Sequence, residues 1–372
     1  MSWKRGTLAD LFGDLVVYRN LEPQDRRIAG LSSVWRQLGL TSPAVPRKTT
    51  AEYALALRCF VEEAQRLRGL PPIERLLFVG DTAMNDGQAA RNLGRFWPMR
   101  GFIGAERPAQ APAVTRDDDL LLANRWAALG EFYAWAVSEG FAGDDRTALL
   151  IDLDKTSLGA RGRNDGVIDG ARVAAVKRTL TVALGERFDE PSFVKVYDRL
   201  NQPDYHPFTA DNQDYLAYIC LMVAAGIYDA EQLWADLDGG ALTTLEQFSA
   251  VCERHRDAMW PALREAQQQL QAGLAAQDPT PFKSFRRVEY HETVACMDVL
   301  PDDATAEQVL AQEIVITAEV ASLVRMLRQQ GALVFAISDK PDEASTPTAK
   351  DAAAGMQPIH RTKMKVYGAE LF

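Results

Sequence analysis

Short apolar runs that stop at a glycine, a serine or an aspartate alternate along the chain with amphipathic stretches. Four runs carry a strand signal: 75–79, which leads into Gly80-Asp81; 99–103, which ends at Gly104; 147–151, which leads into Asp152; and 332–337, which leads into Ser338. A fifth, 364–367, follows further on. These runs are apolar at nearly every position instead of alternating. That pattern belongs to strands buried on both faces, as in a parallel sheet covered by helices.

Helical periodicity is clearest over 49–68, where Thr49 or Thr50 can cap the N-terminus. A short helix is expected over 86–93, closed by Gly94. A longer one is expected over 117–139: Asp117-Asp118-Asp119 would suit the positive end of a helix dipole, and Gly140 would stop it. The stretch 105–115 is rich in proline and alanine and reads as a linker. From 160 to 311 the buried-strand signal disappears and helical patterns dominate, interrupted by a proline-broken loop at 201–212. The apolar run 215–227 is too short to span a bilayer and reads as a buried helix.

A chain of 372 residues exceeds one ordinary core. The change of character places a discontinuous α/β core at 1–159 and 312–372 and a helical insertion at 160–311. The net charge of -10 argues against nucleic-acid or anionic-membrane partners, which reward a basic surface. Lys4 and Arg5 are followed by no long apolar stretch, so no signal peptide is expected and a cytoplasmic location follows by default. Cys59, Cys220, Cys252 and Cys296 are far apart and form no CxxC pair, which points to reduced thiols. His291-Glu292 opens like a zinc-protease helix, but Ala295 stands where the second histidine would be needed. His206, His255 and His360 have no metal-ligand spacing.

The densest chemistry follows the strands. Asp152 and Asp154 stand two apart directly after a buried strand, at the rim where open parallel sheets bind ligands. One carboxylate there can attack phosphorus while the other handles the leaving-group proton. Gly80-Asp81 follows a second strand, with Asp86 five residues on, an arrangement that suits a hard cation such as Mg²⁺. Ser338 follows a third and offers a hydroxyl to a phosphoryl oxygen. The glycines at 159, 162, 166 and 170 suggest a mobile flap beyond Asp154.

These motifs resemble those of the haloacid dehalogenase superfamily. Asp152, Asp154 and Thr156 match its first motif, Ser338 its second, Lys48 at a helix start its third, and Gly80, Asp81 and Asp86 its fourth. The order differs, because the Gly-Asp motif comes before Asp152, and a circular permutation accounts for that. The resemblance implies a Rossmann-like parallel sheet with helices on both faces and a helical cap inserted between the first and second motifs. It implies Mg²⁺-dependent hydrolysis of a small phosphomonoester through an aspartyl-phosphate. Asp152 would be the nucleophile, Asp154 the general acid and base, and Lys48 and Ser338 the neutralising groups. Asp152, the Asp154 carbonyl, Asp81 and Asp86 would hold the metal. The same chemistry allows a phosphotransferase or mutase, and a non-catalytic protein that binds a phosphorylated ligand or a protein is an alternative of another class. Lys340, Lys350, Lys363 and Lys365 all follow Ser338 and are alternatives to Lys48 as the cation.

Overall fold

The strands of the computed structural model, which describes residues 2–372, are β1 Arg5–Gly6, β2 Val16–Val17, β3 Arg75–Gly80, β4 Met99–Gly104, β5 Val114–Asp117, β6 Leu120–Ala123, β7 Thr147–Asp152, β8 Ile316–Thr317, β9 Leu333–Ile337 and β10 Met364–Tyr367. Seven of them form one sheet in the order β2-β9-β7-β3-β4-β6-β5. Every neighbouring pair is parallel except β5 against β6 at one edge. The fold is therefore α/β with a mostly parallel sheet. The 364–367 run is a strand of a separate small sheet, β1-β10-β8, and not of the main one.

The continuous apolar character of the central strands has a direct cause. Leu76, Phe78, Ala148, Leu150, Leu333 and Phe335 pack on one side against Tyr53, Leu57 and Phe60 of the helix Ala51–Arg68 and Leu93 of the helix Gln88–Leu93. Their alternating neighbours Leu77, Val79, Leu149 and Ile151 point to the other side and are equally buried. On that side Phe102 lies 5.7 Å from Phe132 of the helix Leu129–Ser138 and 6.0 Å from Trp126, ring centre to ring centre. Removing one such ring, as in Phe60→Ala, would cost about 3–5 kcal/mol.

The helix expected over 49–68 runs Ala51–Arg68. Thr50 is its N-cap, accepting from the Tyr53 N–H, and Gly69 ends it at φ 66°. The helix expected over 117–139 is not one helix. Its first part is the β5–β6 hairpin, and only Leu129–Ser138 is α-helical. The apolar run Leu120–Leu122 pairs with β4, and Asp118 takes a left-handed turn at φ 53°, which aspartate tolerates. Asp117 and Asp119 are matched by Arg91 and Arg100 at 2.5 and 2.6 Å, and not by a helix dipole. The glycine-rich segment is not a flap either. Gly159 N–H donates to the Val315 carbonyl and Arg161 N–H to the Lys155 carbonyl, while Gly166 and Gly170 lie inside the helix Asp165–Leu184.

The chain divides into two compact units, Met1–Gly170 with Thr293–Phe372 and Ala171–Glu292. The second contains helices and no strand among its described residues. Its core gathers Tyr218, Phe248, Leu263 and Phe282. Within it the Arg286 guanidinium, 8% exposed, donates to Asp214 Oδ2 at 2.5 and 2.8 Å and to Glu289 at 2.6 Å. The 201–212 segment carries two short helical turns, Pro203–Tyr205 and His206–Thr209. The apolar 215–227 run falls largely in the buried helix Gln213–Ala224. No helix among the described residues is long and apolar enough to cross a membrane.

Candidate active site

Because β9, β7 and β3 are parallel neighbours, the residues at their carboxyl ends emerge along one rim. Ser338 follows β9, Asp152 ends β7 and Asp81 follows β3, with β7 between the other two. The strand order thus brings together three motifs that are dispersed in the sequence.

Gly80 is where the rim needs a missing side chain. A Cβ on it would lie 2.4 Å from Asp86 Cβ and 2.6 Å from its Cγ. The close approach exists because Asp86 folds back over the strand end. Its Oδ2 accepts from the Asp81 N–H at 3.0 Å and from the Thr82 N–H and hydroxyl, each at 2.9 Å. The turn Ala83–Gly87 that delivers Asp86 is a single π-helical turn, so the regular helix starts at Gln88, later than the periodicity suggested.

Asp152 is held from three directions. Lys48 Nζ donates to its Oδ1 at 2.5 Å, the Thr156 hydroxyl to its Oδ2 at 3.2 Å, and the Ser157 hydroxyl to its main-chain carbonyl at 2.9 Å. Lys48 stands just ahead of the Thr50 cap and is only 5% exposed; its Nζ is also 2.5 Å from Asp86 Oδ1. Asp81 Oδ2 accepts from Arg161 Nε. One carboxylate oxygen each from Asp81, Asp86 and Asp152 lies within 4.8 Å of the other two, and all three residues are buried.

Burial and mutual repulsion dominate the electrostatics. Burial, together with the charges of Asp86 and Asp81, raises the Asp152 carboxyl well above its ordinary value against the pull of Lys48. Burial and the neighbouring Asp86 push Asp81 up to about 7, with Arg161 opposing. For Asp86 burial is outweighed by the Lys48 charge and by its hydrogen bonds, and the group is held at about 2. Lys48 stays charged: burial disfavours the ammonium, but Asp152 and Asp86 raise it further than burial lowers it. Two protein cations therefore face three crowded carboxylates.

Such a donor set fits a hard divalent cation. It consists of carboxylate oxygens close enough that small rotations bring them onto one ion, and the cluster is short of positive charge. One buried polar atom here also lacks a hydrogen bond among the described residues, the hydroxyl of Tyr53, which lies in the field of Lys48.

The remaining expected residues fall as follows. The half-buried Asp154 carboxylate is outside the triad and hydrogen-bonds to none of the described residues. Ser338 is 1% exposed, and its Oγ accepts from the Lys340 N–H at 2.9 Å. Of the other lysines, Lys340 is buried two residues beyond Ser338, and Lys350 and Lys363 are exposed. Lys365 is buried on Glu313, at 2.9 Å to each carboxylate oxygen. Arg161 was not anticipated. The signal that could have revealed it is an arginine placed between Gly159 and Gly162, on a tight turn just past Thr156.

Comparison of the chain with protein-family models, with curated proteins and with solved structures gives no match.

Proposed function

We propose that this protein is a phosphoric monoester hydrolase of the haloacid dehalogenase type, with a Rossmann-like core and a helical cap, acting on a small phosphorylated substrate. The observation that carries the reading is the buried convergence of Asp81, Asp86 and Asp152 with Lys48 bonded to Asp152. A divalent cation, Mg²⁺ by the hardness of its donors, would be held by Asp152, the Asp154 carbonyl, Asp81 and Asp86 and would supply charge shielding between the carboxylates and the phosphate dianion.

The chain's own residues carry the rest. The Asp152 carboxylate attacks phosphorus and the ester P–O bond breaks. Asp154 gives its proton to the departing oxygen. Water then attacks the aspartyl-phosphate, Asp154 takes the water proton, and the P–O bond to Asp152 breaks to return the carboxylate. Thr156 and Lys48 fix the Asp152 carboxylate for in-line attack, and Lys48 and Ser338 meet the charge on the phosphoryl oxygens.

The test is phosphate release from a panel of phosphomonoesters with Mg²⁺ and with excess EDTA, for the native chain and Asp152→Asn. Release that needs Mg²⁺ and vanishes in the folded variant is the expected result. Full turnover by the variant, or in EDTA, sinks the mechanism.

A further inference from the structure

Arg161 differs from Lys48 in what it can do after it has paired with a carboxylate. Its backbone is fixed: its N–H donates to the Lys155 carbonyl at 2.7 Å, and its carbonyl accepts from the Glu106 N–H at 2.8 Å and the Trp126 indole at 3.3 Å. Gly162 beside it has φ 76°, and a Cβ there would fall 1.9 Å from the Glu106 carbonyl oxygen, so the turn requires glycine at that position. The side chain is free by comparison. It is 35% exposed, against 6% for the Asp81 carboxylate it holds. Two further carboxylates also act on its guanidinium: Asp165, whose Oδ1 accepts from the Gly162 N–H at 2.8 Å, and Asp169, whose Oδ2 lies 2.8 Å from Lys155 Nζ. Lys48, by contrast, is enclosed between Asp86 and Asp152.

We propose that Arg161 is a displaceable counter-cation of the triad: it pairs with Asp81 while no divalent ion is bound and withdraws toward Asp165 and Asp169 when one binds. The inference rests on the divalent-cation reading above. Charge balance supports it. With the three carboxylates ionised and both protein cations in place, a divalent ion would leave the cluster net positive; with Arg161 withdrawn, the charges cancel. The pairing also keeps Asp81 oriented toward the rim before the ion arrives, at the cost of competing with it. Arg161 is a positioning residue in this scheme, and its signature is in ion affinity before turnover is considered.

Calorimetric titration with Mn²⁺ at fixed pH tests this on the full chain, with the spectrum of bound Mn²⁺ as a second readout. Arg161→Gln should bind about tenfold or more tightly than the native chain, because a charge-assisted hydrogen bond no longer has to be broken. Arg161→Lys should stay near native, and Asp81→Asn should lose most of the affinity in either background. Affinity unchanged or weakened in Arg161→Gln, with native binding measurable, overturns the proposal and leaves the cation site standing. Absence of Mn²⁺ binding by both native chain and Arg161→Gln overturns the proposal together with the cation reading.

Discussion

Lys48 Nζ lies 2.5 Å from Asp152 Oδ1, although 104 residues separate the two in the chain. This places a buried ammonium on the carboxylate at the end of β7, ahead of the helix that packs beneath β3 and β7. Lys48→Ala is expected to lower kcat for phosphate release by about 10²–10³, the usual loss when a group that stabilises developing charge is removed. The exposed Lys363→Ala should have no effect. A large loss in the second variant and none in the first would move the cation role to the other end of the chain.

Gly80→Ala should disable the site from beneath without replacing a charged residue. The added methyl would strike Asp86 and cost about 1–3 kcal/mol in overpacking. Asp86 would then lose its bonds to the Asp81 and Thr82 amides. The measurement is the rise in Tm caused by Mg²⁺. It should be clear in the native chain and absent in Gly80→Ala, with a cooperative transition preserved in both. A native-size Mg²⁺ shift in the variant would contradict the geometric account.

His360 gives a pH dependence through groups other than the triad carboxylates. It is buried, faces the Tyr18 hydroxyl at 3.1 Å and Asp14 at 3.1 Å, and has Arg361 nearby. Burial lowers its folded pKa below the ordinary 6.5, and Asp14 only partly offsets that. Below 6.5 the unfolded chain takes up the proton more readily, so stability is full above that pH and falls as pH drops toward the folded value. His360→Gln should flatten the part of the Tm–pH profile just below 6.5. An unchanged slope would show that other groups carry it.

Asp214→Ala should unfold or loosen the helical unit. It removes the acceptor of two Arg286 hydrogen bonds and of the Phe282 N–H at 3.0 Å, and leaves a buried guanidinium with Glu289. Breaking one side of a buried pair costs about 3–5 kcal/mol. Denaturant unfolding checks it, and a loss below about 1 kcal/mol would mean that Glu289 and water suffice for Arg286.

The central strands and the triad were legible because each rests on local chemistry: an apolar run that ends at a glycine or aspartate is a buried strand meeting its rim, and 75–79 and 147–151 had that form. Lys48 was legible as the residue before a capped helix. The β5–β6 hairpin was not, because Asp117-Asp118-Asp119 suits a turn as well as a helix start, and pairing of Leu120–Leu122 with β4 decided between them. Arg161 was illegible for a similar reason. Its partner lies 80 residues upstream, and the turn glycines that flank it do not say which carboxylate it meets. The π turn before Gln88 depends on the Asp86 carboxylate folding back, a tertiary event with no periodic trace.

The placement of β7 between β3 and β9 has a consequence for the order in which the chain acquires structure. β3 and β7 can pair as soon as both are made, and by then Lys48, Asp81, Asp86 and Asp152 have all been synthesised. β9 reaches the other edge of β7 only after the whole helical unit has been synthesised. Closing so long a loop adds little to the equilibrium cost, which grows only logarithmically with length, but such distant pairings are slow to form. Until β9 docks, the β7 edge that will face it is unpaired, and an unpaired edge is open to mispairing during folding.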